Sequence, residues 1–161
     1  MSAPTQFSCK YLTPALWIVA FQVISYAIGL VTRDNMGWYD TLDKSPLTPP
    51  DIAFPIVWST LYVLLALAGL RVWRHYKSHG ITAVFVLFWV QMGLNWGWSF
   101  VFFAAHEIAL GFYWIVALNV ILALFIIKAW NSCRRAAVYT LPTLLWGCFA
   151  AYLNYMIMIL N

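Results

Sequence analysis

Three stretches of the chain place flat aromatic rings and neutral polar groups in helical register. Trp58 and Tyr62 stand four residues apart, so both fall on one helix face. Asn95 and Ser99 repeat that spacing beside Trp96 and Trp98, and Trp146, Ala150 and Asn154 extend it to i, i+4, i+8. Large rings, a few amides and hydroxyls, and one small residue make the lining of a mostly apolar small-molecule pocket. The same amides serve equally well to join helices, because polar groups inside a membrane must pair or face a cavity. Spacing alone leaves both readings open for Asn95 and Asn154.

No other residues form a chemical set. His75 and His79 are four apart but lie among bases with no acid nearby, a poor metal pair. His106 and Glu107 occupy a tight turn, and no nucleophile, base and orienting group stand together. Cys9, Cys133 and Cys148 are odd in number and lack metal-like spacing. The carboxylates Asp34, Asp40, Asp43, Asp51 and Glu107 all lie between apolar runs, so no buried proton relay is expected.

Those runs must position everything else. Hydrophobic residues make up 64% of the chain and charged ones 9%, against about 25% charged in a soluble domain. A helix needs about 20 apolar residues to cross the hydrocarbon. Residues 14–32, 53–73, 81–104, 108–128 and 136–159 each supply such a run. The expected fold is therefore an all-α membrane protein, a five-transmembrane-helix bundle forming a single domain over residues 1–161. Helices satisfy their own backbone hydrogen bonds without water, and the short alternating strands of a barrel are missing. No internal repeat of the kind found in coupled transporters is visible, and no cleavable signal is expected at the first run.

The net charge of +4 would suit nucleic acid, but the bases sit in short loops between apolar runs, and topology accounts for them without such a partner. Lys10, Arg71, Arg74, Lys77, Lys128, Arg134 and Arg135 share one end of the bundle, and only Arg33 and Lys44 lie at the other. By the positive-inside rule this predicts a cytoplasmic N-terminus in a bacterial cell membrane. Trp17, Trp73, Trp89, Trp114 and Trp130 lie near run ends and fit an interfacial belt. Gly93 and Gly97 form a GxxxG pair that suits either a homodimer or close packing within one chain. The one long connection, residues 33–52, carries Trp38-Tyr39 and the stiff run Lys44-Ser-Pro-Leu-Thr-Pro-Pro50, which could form a lid.

Three blocks together carry a family resemblance. Trp38-Tyr39-x-x-Leu42-x-Lys44-x-Pro46-x-x-Pro49-Pro50, with Val57-Trp58-x-x-Leu61-Tyr62, resembles the first signature of the TspO/translocator-protein family. Gln91-x-x-Leu94-Asn95-x-x-Trp98-Ser99-x-x-Phe102-Phe103 is similar to its third-helix block. Pro142-x-x-Leu145-Trp146-x-x-Phe149-Ala150-x-x-Leu153-Asn154 is similar to its fifth. The resemblance implies a pocket capped by Trp38 and Tyr39 and built from Trp58, Tyr62, Asn95, Trp98, Ser99, Trp146, Phe149 and Ala150. It implies porphyrins such as protoporphyrin IX and haem as ligands rather than required cofactors. Sterols, lipids and a second copy of the chain are further implied partners. Thr143 stands where the family commonly has Tyr, and Tyr155 lacks the basic residue that completes the animal sterol motif, so specific cholesterol binding is not expected. The implied role is a tetrapyrrole receptor or sensor. The alternatives are light-dependent porphyrin breakdown, which needs no acid–base triad, and facilitated translocation of porphyrin or sterol.

Overall fold

The computed structural model describes the backbone of residues 5–161 and the side chains from residue 12 onward. Cys9 and Lys10 are outside the described side chains, and the first four residues of the expected domain are outside the described backbone. The elements are α1 (Thr5–Asp34), α2 (Met36–Asp40), α3 (Ala53–His79), α4 (Ala83–Ser99), a π-helical turn (Phe100–Ala104), α5 (Ile108–Ser132) and α6 (Arg134–Leu160). Five helices are long and apolar enough to span a membrane, as their composition requires, and among the described residues there is no strand.

Most helices outrun the apolar stretches that define them. α3 continues through Arg74, His75, Tyr76 and Lys77, residues expected in a loop, and stops at Gly80, whose φ of 71° ends the hydrogen-bond ladder. Apolarity measures the hydrocarbon, whereas a helix ends only where its backbone is interrupted. Thr82 then caps α4 by accepting from the Phe85 amide at 3.4 Å. α5 and α6 are separated by Cys133 alone, where residues 129–135 were expected to be loop. The long connection is not plain loop either: α2 lies inside it and carries the buried Tyr39.

Around the bundle, α1 packs on α3, α3 on α6, α6 on α5 and α5 on α4, and α4 closes the ring by touching α3 and α1 lightly. Sequential helices are therefore not all close neighbours, since α3 lies mainly against α6 rather than α4. Toward the basic end the middle is solid. Leu65, Ala66, Phe88, Met92, Phe125, Ala129, Ala136 and Ala137 are fully buried there in one cluster. Four of the five tryptophans expected in the belt, Trp17, Trp73, Trp89 and Trp114, are half-buried in the packing instead. Trp17 lies against Phe21, Trp73 and Trp89, and its ring edge occupies the space above Gly69. Trp114 fills the space above Gly97 and donates to the Leu94 carbonyl at 2.8 Å. Trp130 stays 41% exposed and keeps the interfacial role. Within the GxxxG pair, Gly97 thus serves intramolecular packing, whereas Gly93 is exposed with open space above it.

Candidate functional site

Toward loop one, the connection of residues 33–52, the bundle is hollow. A cavity of about 650 Å³ lies between α1, α3, α4 with its π-turn, and α6, within the usual range of about 300–1,000 Å³ for small-molecule sites. It forms where α4 and α3 part. Of the expected residues, Tyr39, Trp58, Tyr62, Asn95, Trp98, Ser99, Trp146 and Ala150 line it together. Trp38 and Phe149 do not. Trp38 sits behind the wall, edge-on to Phe102 at 5.5 Å and stacked on His106 at 4.1 Å. Phe149 lies on the outside of Trp146, between that ring and Tyr152.

The polar groups show why both readings of the amides hold in part. Tyr62 Oη donates to Asn95 Oδ1 at 2.8 Å, joining α3 to α4 at the cavity wall. That bond fixes the amide and leaves Asn95 Nδ2 without a protein acceptor. Trp146 Nε1 is also an unpaired donor, and Asn154 Oδ1 an unpaired acceptor, its Nδ2 being turned back onto the Ala150 carbonyl at 3.3 Å. Three lining residues thus each carry one buried polar atom with no protein partner. Buried groups of this kind cost about 1–3 kcal/mol each when unsatisfied.

Two contributions escape a reading by composition. The π-turn adds a residue to one helical turn, with Ala105 N bonding to Phe100 O at 2.9 Å. Consecutive Phe102 and Phe103 both turn inward as a result, and both line the cavity. Phe102 stacks on Trp98 at 5.2 Å with a 7° angle between planes. The second contribution is α1. Gln22, Ser25, Tyr26 and Gly29 line the cavity, and Gln22 Nε2 donates to the Ser59 carbonyl at 2.7 Å. Their i, i+3, i+4, i+7 spacing is a polar and small stripe within an apolar run, a signal the sequence does contain. The exposed lining residues are Tyr26, Gly29 and Arg33 of α1, Pro55 and Ser59 of α3, and Asp51 just before α3, so the cavity opens along the α1–α3 seam up to its outer end.

Loop one closes the outer end and is held at several points. Asn161 accepts from the Asp43 amide at 3.0 Å and donates to the Asp43 carbonyl at 3.1 Å. Ser45, buried, meets the Tyr152 hydroxyl at 3.0 Å. His106, with its φ of 56° in the left-handed region, lies within 3.3 Å of Asn35 Oδ1 while stacking on Trp38. Lys44 Nζ stands 4.2 Å from the centre of the Tyr39 ring and donates to the Tyr39 carbonyl and to Asp40. Burial, reinforced by the charges of Asp51 and Asp40, pushes the Tyr39 phenol up to about 12. Elsewhere among the described residues no three His, Cys, Asp or Glu side chains converge.

Residues 4–160 match the TspO/MBR family. The chain is 34% identical to the tryptophan-rich protein TspO of Chlorobaculum tepidum over 94% of its own length and 98% of that protein. It is 31% identical to the protein of the same name from Archaeoglobus fulgidus, over 89% and 94% of the two chains. With the translocator protein of Ovis aries it shares 32% identity over 78% and 75%.

Proposed function

The chain belongs to the TspO/MBR family of multi-pass membrane proteins, and from that premise we propose that it is a receptor for a flat tetrapyrrole, protoporphyrin IX or haem. The observation that carries the reading is the cavity itself: about 650 Å³, walled by the rings of Trp58, Trp98, Trp146 and Phe102, with few polar groups. A flat macrocycle would stack between Trp58 and Trp146, its ring nitrogens near the amides and its carboxylates toward loop one. At that end an anionic group would find water, with the exposed Arg33 and Asp51 both on the cavity lining. With the bases of the opposite end in the cytoplasm, as in a bacterial cell membrane, loop one faces outward and the receptor samples that side of the bilayer.

Aromatic stacking contributes about 0.5–1.5 kcal/mol per pair beyond area burial. The Trp58→Phe, Trp146→Phe double variant should therefore keep its thermal midpoint and lose roughly tenfold in porphyrin affinity, read by fluorescence quenching. Unchanged affinity would sink the stacking arrangement.

The three indoles lining the cavity also favour a second reading, light-dependent breakdown of the bound porphyrin. Illumination of the complex would then bleach protoporphyrin IX to a distinct product, lost in the same tryptophan variants. Equal bleaching in empty detergent micelles would count against it. For the translocator reading, the sideways opening at Tyr26 and Gly29 gives entry from the bilayer, and proteoliposome flux proportional to protein tests it.

A further inference from the structure

The end of the bundle opposite loop one carries positive charge without any counter-charge. Arg71, Arg74, Lys77, Lys128, Arg134 and Arg135 gather there, while every carboxylate of the chain lies at the loop-one end. Among the described residues the only ion pairs are Arg33–Asp34 and Lys44–Asp40, both at that other end. Two of these bases are adjacent in sequence at the α5–α6 corner. Arg134 and Arg135 are exposed and border a shallow cleft with Val138 and Tyr139. Arg134 lies 5.0 Å from the centre of the exposed Trp130 ring. Arg71, half-buried on α3, is close enough for its charge to act on Cys133.

This arrangement is amphipathic along the membrane normal. Val138, 45% exposed, stands about one helical turn beyond Arg134, or roughly 5–6 Å deeper. A phosphate between the two guanidiniums would thus leave its acyl chains running down over Val138 and Trp130. Guanidinium forks suit phosphate oxygens. A zwitterionic headgroup would also bring an ammonium into a cluster of unpaired cations, with no carboxylate present to receive it. Anionic headgroups escape that repulsion.

We propose that the α5–α6 corner is a binding site for an anionic phospholipid, its phosphate held by Arg134 and Arg135 over the Val138–Tyr139 cleft with Arg71 as the third charge. The site is independent of whatever fills the central cavity. Each basic side chain near a membrane surface adds appreciable attraction for acidic lipid, so two of them should separate acidic from neutral lipid by roughly tenfold or more.

The test is native mass spectrometry of the detergent-purified protein titrated with phosphatidylglycerol or phosphatidylcholine of identical acyl chains. The wild type should retain phosphatidylglycerol about tenfold better, and R134Q/R135Q should fall to the phosphatidylcholine level. V138W, which fills the cleft and leaves every charge in place, should lose the preference too. R33Q, at the far end, should keep it. Equal retention of the two lipids by the wild type would overturn the proposal. So would loss in R134Q/R135Q without loss in V138W, because that marks diffuse surface charge rather than a site. If the arginine pair proves necessary for folding, V138W alone decides the matter.

Discussion

The two halves of this bundle are made from similar residues and put to opposite uses. In the half toward the basic end, Phe88, Met92, Phe125 and Leu65 close completely around alanines, leaving no room. In the half toward loop one, tryptophans and phenylalanines of the same size stand apart around about 650 Å³. The difference lies in what holds the rings. In the solid half, small residues let helices approach: Gly69 admits the edges of Trp17 and Phe88. In the hollow half the rings lean on one another around the wall, Trp98 on Phe102 and Trp146 on Phe54 and Phe149. Stability should therefore reside mainly in one half and ligand recognition in the other.

The largest effect should come from hollowing the solid half. Phe125→Ala removes a fully buried ring and should cost about 3–5 kcal/mol, seen as a fall in thermal midpoint in detergent. A midpoint within a degree of wild type would break the distinction.

Opposite substitutions sharpen it. Ala66 is fully buried in the solid half, and Ala150 lines the cavity. Ala66→Phe should overpack its site and cost about 1–3 kcal/mol or more. Ala150→Phe should leave the thermal midpoint unchanged while lowering porphyrin affinity more than tenfold, since the new ring takes ligand space. Equal destabilisation by the two would mean the hollow half is as tightly specified as the solid one.

The five spans and most of the cavity lining were legible in advance, and the exceptions have physical causes. Five spans follow from apolar length, and Trp58 with Tyr62, or Trp146 with Ala150, reach one cavity because helical spacing puts them on one face. The π-turn was invisible: in a regular helix Phe102 and Phe103 would stand about 100° apart, and the shifted hydrogen-bond register turns both inward. Position near a run end suits tryptophan to the interface, but composition cannot distinguish a lipid headgroup from a neighbouring glycine. Trp114 over Gly97 shows which one won. Trp38, adjacent to Tyr39 in sequence, points to the far side of a short helix whose existence loop composition did not announce.

Smaller effects probe the joint between the halves. Tyr62→Phe removes the hydroxyl that Asn95 accepts, leaving that buried carbonyl oxygen unpaired. The expected cost is about 1–3 kcal/mol. Affinity should change by less than for Ala150→Phe, because the ring and the amide both remain. A larger loss of affinity than of stability would make the Tyr62–Asn95 bond part of recognition rather than of the frame.

The smallest effect at neutral pH is the most specific to the lid. Tyr39 has its phenol raised to about 12 by burial and by Asp51 and Asp40. In the unfolded or undocked chain it titrates near 10. The docked state therefore favours the neutral phenol. Its contribution is fully present below about pH 10 and is lost as pH rises toward 12. Lid undocking should consequently set in above pH 10, before the solid half responds, and should appear as faster porphyrin release with little change in helical circular dichroism. Tyr39→Phe keeps the ring on Phe103 and under Lys44 but cannot ionise, so this early alkaline phase should vanish. If it persists in Tyr39→Phe, the alkaline sensitivity belongs to another group, and the lid is held by its Asn161 and Tyr152 contacts rather than by the buried phenol.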